Sequence, residues 1–309
     1  KKLNFIIKYG LALLLLSFYS CESWLNVTPS DRLSEEMLFN DREGFVKALN
    51  GVYIELNTNE LYGRNLTAGA LDVMGQYYSV ASSSHAFYNY GGLVYTGNDE
   101  KALFDNMWQK CYAVIACCNT IIEKCDENKA GLSPVWKGSI KGEALALRAM
   151  LHFDMLRLFG PLTSELDKES IPYQTNSDQT VTPLLSGSEV IGLILDDLKN
   201  AVGLLKDTDP YFVEEEFSDT DLNYRRFRMN YFAAKGLMAR VQLWGGDKEK
   251  AAITAKEVIA EGQAEGAEFF PFVTNSEATS SNPDRVFYSE VLFGTYHSSR
   301  EKLHEDLFA

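Results

Sequence analysis

The chain has 309 residues, a formal net charge of -14 at pH 7, 46% hydrophobic residues and five cysteines. That acidity excludes nucleic-acid binding through phosphate neutralisation, which needs a Lys/Arg-rich surface. It also excludes electrostatic adhesion to an anionic bilayer. The length suits one large domain or two small ones, with ample apolar content for a core.

Residues 1–20 read as a signal peptide. Lys1, Lys2 and Lys8 precede the apolar run Leu11 to Leu16, which is too short to span a bilayer, since a spanning helix needs roughly 20 apolar residues. Ser20 then precedes Cys21, as in a bacterial lipoprotein signal, where the Cys21 thiol takes a diacylglycerol and becomes the new N-terminus. An ordinary cleaved signal with a coincidental cysteine is the alternative, and both imply export. Loss of residues 1–20 removes three lysines and moves the formal charge to about -17. Residues 21–32 read as a lipid-anchored tether with Trp24-Leu25 as an aromatic anchor, and 33–309 as a helical domain.

Within that domain, Ser34 caps a short helix with Glu35 and Glu36 in its first turn. A second helix starts near Asp41, with Phe45, Ala48, Leu49, Val52, Tyr53 and Leu56 at spacings of three and four. Leu66 to Met74 reads as another short helix, and residues 75–100 as a long surface loop of tyrosines, serines and glycines. Leu103 to Asp126 is helical by periodicity. Ser133-Pro134 opens the next helix, and Gly160-Pro161 stops it after Phe159. Residues 162–186 form a polar connection, a helix runs from Ser188 to about Lys206, and Asp207 to Asp221 is an acidic loop. Asn230 to Trp244 and Asp247 to Glu261 form a helical pair around Gly245-Gly246. Only Val286 to Thr295 hints at extended structure.

The predicted class is therefore all-α (mainly helical), a scaffold of helix pairs with long irregular loops. The unit at 228–262 resembles a tetratricopeptide hairpin and 104–159 a second, although neither follows the strict 34-residue consensus.

Cys111, Cys118 and Cys125 recur every seven residues on one predicted helix. Each step spans about 10.5 Å, beyond the ~7 Å Cα separation of a disulfide. Cys117 and Cys118 are adjacent, and a vicinal bridge does not fit a helical backbone. All four are predicted to be small buried hydrophobes.

No H-E-x-x-H, G-x-S-x-G, P-loop or Rossmann pattern occurs. His152 lies inside an apolar helix and reads as a satisfied core histidine; His297 and His304 read as surface residues. Glu165, Asp167 and Glu169, and likewise Asp207, Asp209, Asp219 and Asp221, lie in polar loops. There they are solvated rather than tuned as a glycosidase pair would be. A calcium site at 219–221 remains an alternative, and no cofactor is expected.

The loop at 77–95 is the stronger candidate. Tyr77, Tyr78, Phe87, Tyr88, Tyr90 and Tyr95 interleave with serines and Asn89. A sugar ring offers apolar C–H faces and hydroxyl edges, which suit a flat aromatic with a neighbouring amide or carboxylate. The alternative is that these rings pin the loop onto the helices or form a protein interface.

Several segments together resemble the SusD/RagB family of outer-membrane nutrient-binding lipoproteins. They are Cys21-Glu22-Ser23-Trp24-Leu25-Asn26-Val27-Thr28-Pro29, Gly44-Phe45 to Tyr53, and Trp108 to Ile122. The most specific is Gly142-Glu143-Ala144-Leu145-Ala146-Leu147-Arg148-Ala149 to Phe159-Gly160-Pro161, and Ala233 to Ala251 follows. The resemblance implies a tetratricopeptide-like scaffold with a non-catalytic glycan site, anchored in the outer membrane and exposed at the cell surface. It also implies a SusC-type TonB-dependent transporter as partner. Family members are longer, so the chain reads as incomplete at its C-terminus.

By position within the family, Asp72, Tyr77, Tyr88 and Tyr90 are the ligand-binding candidates. The loop holds no Trp, so the ligand is open between starch, another glycan and a peptide. Asp154 and Arg157, three apart on one helix, read as architecture. The alternatives are a helical-repeat scaffold for envelope proteins and, further off, an exported glycosidase.

Overall fold

A computed structural model describes residues 35–308, except 179, 219, 220, 222, 265 and 266. Cys21, the signal segment 1–20 and the tether 21–32 lie outside the described residues. The chain divides into two compact units, Lys1–Leu38 and Phe39–Ala309. Of the first, the described part is one helical turn, α1 (Glu35–Leu38), with no buried residue.

The second unit begins with α2 (Arg42–Leu56), whose cap Asp41 accepts a hydrogen bond from Gly44 N at 2.8 Å. Its buried face is Phe45, Leu49, Val52 and Leu56, the periodic residues that the sequence marks. A coil of turns leads to α3 (Ala70–Met74) and then to the one-turn α4 (Tyr88–Gly91). α5 (Asn98–Glu127) starts five residues before the predicted Leu103, immediately after Gly97. It ends at Asn128, which adopts the left-handed conformation (φ 45°) that asparagine tolerates.

α6 (Pro134–Phe159) is the central helix. Ser133 caps it by accepting from Trp136 N, and Gly160 terminates it as the sequence indicates. Ala144 through Ala149 are buried on every side, the signature of a helix surrounded by others. It packs against α2, α5 and α7 (Gly187–Thr208) and touches α8 (Tyr231–Trp244). Gly142 permits the close approach of α7: a Cβ there would lie 2.7 Å from Leu205 Cγ.

α7 starts one residue earlier than predicted because Ser186, rather than Ser188, is the cap. Its hydroxyl and Glu189 form a reciprocal capping box. α8 and α9 (Lys248–Gly262) form the predicted hairpin, capped by Asn230 and Asp247. Gly246 takes the positive φ (88°) that closes the turn. Lys235 on α8 bridges Glu257 and Glu261 on α9 at 3.0 and 2.8 Å. The remaining described helices are α10 (Asn275–Ala278) and α11 (Arg300–Phe308).

The structure corrects three expectations. The connection 162–186 holds an antiparallel pair, β1 (Glu169–Pro172) with β2 (Leu184–Ser186), and a second minimal pair, β3 (Gln263–Ala264) with β4 (Ala267–Glu268), follows α9. Val286 to Thr295 is not a strand; it contains a 3₁₀ turn at Tyr288–Glu290. Its backbone is satisfied irregularly, with Leu292 O accepting from Asn230 Nδ2 at 2.7 Å and Gly294 N donating to Arg226 O. Asp209 is not a solvated loop carboxylate. It is 0% exposed and holds Arg225 through Nε (2.9 Å) and Nη2 (2.6 Å).

Two buried ionic networks tie the helices together. In the first, Asp209 and Glu143 share Arg225, and Glu143 also accepts from Tyr53 Oη at 2.7 Å and Arg228 Nε at 3.0 Å. Burial pushes the Glu143 carboxyl up, but the guanidinium groups of Arg228 and Arg225 outweigh it and hold the group below the usual range. In the second, Arg148 donates twice to Asp197 at 2.7 Å and once to Asn119 Oδ1 at 2.8 Å, joining α5, α6 and α7. His152 is fully buried: Nδ1 donates to Arg148 O, and Nε2 accepts from Gln174 N at 3.0 Å. Cys111, Cys118 and Cys125 are buried thiols as predicted; Cys117 corrects that expectation, being exposed because it lies one residue around the helix from their buried face.

Candidate functional site

The candidate loop runs between α3 and α5 and is held at both ends. Gln76, at φ 60°, donates from Nε2 to Val73 O and to Gly91 O at 3.1 Å, which staples the loop start to α4. Asn89 Nδ2 donates to Glu100 Oε1 at 2.8 Å, and Asn89 O accepts from Val94 N. Beneath them lies an apolar cluster of Ala70, Val73, Phe87 and Tyr90, joined by Val80, Phe104 and Leu307.

The four candidates separate on this framework. Tyr77 is 79% exposed; its ring lies across Gly75, where a Cβ would meet Tyr77 Cδ2 at 3.1 Å. Tyr88 is 42% exposed. Asp72 is half-buried, and partial burial raises its carboxyl pKa. Tyr90 is only 2% exposed and packs edge-on against Phe87 (5.7 Å) and Phe104 (6.0 Å). Burial, with Glu100 and Asp99 nearby, pushes its hydroxyl up to about 12. Its ring faces are occupied, so Tyr90 pins the loop and is not offered to a ligand.

A cavity of about 450 Å³ opens beside Gln76, Tyr78, Tyr88 and Asn89. A second, of about 340 Å³, lies between Tyr78, Val80, His85 and Phe87 and is bounded by Leu307 and Phe308 of α11. Tyr78 meets Phe308 edge-on at 5.0 Å. Tyr78, Gln76 and Asn89 thus surround the space that Tyr88 faces. The tyrosine-rich pattern marks this stretch in sequence, but the sequence does not reveal which rings turn inward.

Of the loop carboxylates, Glu165 forms an exposed ion pair with Lys168 at 2.9 Å. Of the proposed calcium ligands, Asp219 lies outside the described residues, and Asp221 Oδ2 accepts from Ser218. Among the described residues no group of three or more His, Cys, Asp or Glu side chains converges on a common point. Among the buried carboxylates of the described residues, Glu143, Asp197 and Asp209 are committed to arginines and Glu100 accepts from Asn89. Asp154 pairs with Arg157 at 3.1 Å and accepts from Tyr62 Oη at 2.6 Å, an architectural role.

Residues 23–243 match the SusD-like family model described as starch-binding and associating with the outer membrane. The chain belongs to the SusD-like family. It is similar to SusD-like protein P2 of Formosa agariphila, 26% identical over 265 residues that cover 84% of this chain and 46% of that protein. A SusD-like protein of Bacteroides ovatus is 30% identical over 146 residues, covering 46% of this chain and 23% of its own length. Among solved structures, a SusD-like carbohydrate-binding protein of Bacteroides vulgatus superposes with a TM-score of 0.61 at 24% identity, covering 77% of this chain and 47% of that one. A laminarin-binding SusD-like protein superposes with a TM-score of 0.57 at 17% identity, covering 77% and 48%. These likenesses show the fold: a helical, tetratricopeptide-like scaffold. The SusD-like chain spans about half the length of the curated relatives it matches.

Proposed function

We propose that this SusD-like chain belongs to a lipoprotein anchored through Cys21 in the outer membrane, which binds an oligosaccharide and delivers it to a SusC-type TonB-dependent transporter. The observation that carries the reading is the pair of exposed rings, Tyr78 and Tyr88, beside the amides of Gln76 and Asn89 around one cavity, with the exposed ring of Tyr77 next to Tyr78 in the chain. The rings cover the apolar faces of a sugar and the amides meet its hydroxyls. Asp72, with its raised pKa, stands one turn before Tyr77 as a further acceptor. No bond is made or broken in this role; binding and release are the whole chemistry.

Laminarin, bound by one solved relative, is the first ligand to test. Titration calorimetry with laminarin and maltodextrin oligosaccharides should detect binding. Tyr77→Ala/Tyr88→Ala should weaken it about tenfold, the equivalent of ~1.4 kcal/mol. Unchanged affinity in that variant would remove the loop from the site. Leu93 and Val94, 58% and 47% exposed on the same loop, favour a protein contact at its outer end. The transporter is the partner proposed for that contact. Recovery of a large TonB-dependent barrel with the tagged lipoprotein, from detergent-solubilised outer membranes, tests the partnership. Its absence from a stably folded bait would return the scaffold reading.

A further inference from the structure

A second aromatic platform lies away from the loop, formed by α2, the 3₁₀ turn Arg225–Phe227 and the segment after Tyr288–Glu290. Tyr224 and Tyr296 are 58% and 64% exposed there. Phe227 stands between them, 6.2 Å from Tyr224 and 5.7 Å from Tyr296, ring centre to ring centre. They border a cavity of about 540 Å³, within the roughly 300–1,000 Å³ of small-molecule sites. None of its lining residues belongs to the two cavities at the loop.

The polar groups of this cavity are fixed before any ligand arrives. Arg228 sits 4.7 Å over the Tyr53 ring, with Nε on Glu143 (3.0 Å) and Nη1 on Asn50 Oδ1 (2.6 Å). Those bonds leave Arg228 Nη2 and Asn50 Nδ2 as donors. Asn57 also lines the cavity: its Nδ2 donates to Tyr53 O at 2.9 Å, while its Oδ1 is buried without a hydrogen-bond partner. The guanidinium is already neutralised by Glu143, so the cavity does not select an anion. Flat rings and two donors instead match an uncharged polyol with apolar faces.

We infer that this platform is a second saccharide site, taking a pyranose ring against Tyr224 or Tyr296, with ring hydroxyls accepting from Arg228 Nη2 and Asn50 Nδ2. Two separated sites on one chain would let an oligosaccharide be held at two points, which raises its effective affinity when its length spans them. The platform stands on its own residues and does not depend on the loop reading.

Saturation-transfer NMR tests it with a mixture of methyl pyranosides of glucose, galactose, mannose and N-acetylglucosamine. Saturation transfer to at least one glycoside should survive in Tyr77→Ala/Tyr88→Ala and fall about tenfold in Tyr224→Ala/Tyr296→Ala. On the unmodified protein, the Asn50 side-chain amide resonances should shift with the same glycoside, a readout that needs no variant to fold. No transfer to any glycoside overturns the inference. So does transfer insensitive to Tyr224→Ala/Tyr296→Ala, or an Asn50 amide that does not move. Transfer lost only in the loop variant would leave the loop reading standing and remove the platform. The converse pattern would remove the loop and keep the platform.

Discussion

Replacing Asp209 by alanine isolates what the buried ionic core contributes. Asp209 is 0% exposed and accepts four hydrogen bonds: from Arg225 Nε (2.9 Å) and Nη2 (2.6 Å), Tyr211 N (3.0 Å) and Tyr231 N (2.8 Å). The last comes from the first residue of α8, where a carboxylate also favours the helix dipole. Asp209→Ala strands the guanidinium of Arg225, itself 1% exposed, with Glu143 as its remaining carboxylate. Removing one partner of a buried pair costs about 3–5 kcal/mol. For a domain of this size, each kcal/mol lowers Tm by roughly 2–4 °C, so a fall on the order of 10 °C is expected. Urea denaturation followed by far-UV circular dichroism measures the free energy, and calorimetry the Tm. The double variant Asp209→Leu/Arg225→Met should recover most of the loss, because Glu143 keeps Arg228 and Tyr53. A loss below about 1 kcal/mol for Asp209→Ala, or a double variant no better than the single, would refute a network whose cost lies in the unpaired charge.

Four further outcomes follow from the same structure. Burial lowers the His152 pKa from 6.5 to about 3, so between those values the unfolded chain binds the extra proton. Stability is therefore full above about pH 6.5 and falls as pH drops, by up to ~1.4 kcal/mol per unit from this group; His152→Gln should flatten that slope in urea titrations. Tyr90→Ala, which empties part of the cluster under the loop, should cost about 3 kcal/mol, whereas exposed Tyr77→Ala should stay within about 0.5 kcal/mol of the parent by chemical denaturation. Gly142→Val must displace Leu205 from its 2.7 Å approach, and should destabilise by about 1–3 kcal/mol in the same assay. Among Cys111, Cys117, Cys118 and Cys125, only Cys117, exposed as a residue, should react with a thiol reagent in the native protein, slowly because partial burial of its thiol raises its pKa. All four should react in guanidinium, as mass spectrometry of alkylated peptides would show.

Much of the helical framework is legible in sequence because its signals are local. The Ser133-Pro134 start, the Gly160-Pro161 stop and the Gly245-Gly246 turn each act through the backbone of their own few residues. Periodic apolar residues likewise mark the buried stripe of α2 and the seven-residue ladder of thiols on α5. The site was legible only as a composition. Tyr77, Tyr88 and Tyr90 are chemically alike in sequence, yet two face solvent and one fills a cluster. That cluster's members include Phe104 on α5 and Leu307 on α11. Asp209 reads as one more acid in an acidic loop until Arg225 and Glu143 meet it across three separate segments. The pairing of Glu169 with Ser186 and the orphaned oxygen of Asn57 are of the same kind. Helix starts and stops are decided by neighbours along the chain. Which side chain is buried, charged in company or left unpaired is decided by neighbours across space, and only the tertiary structure brings those together.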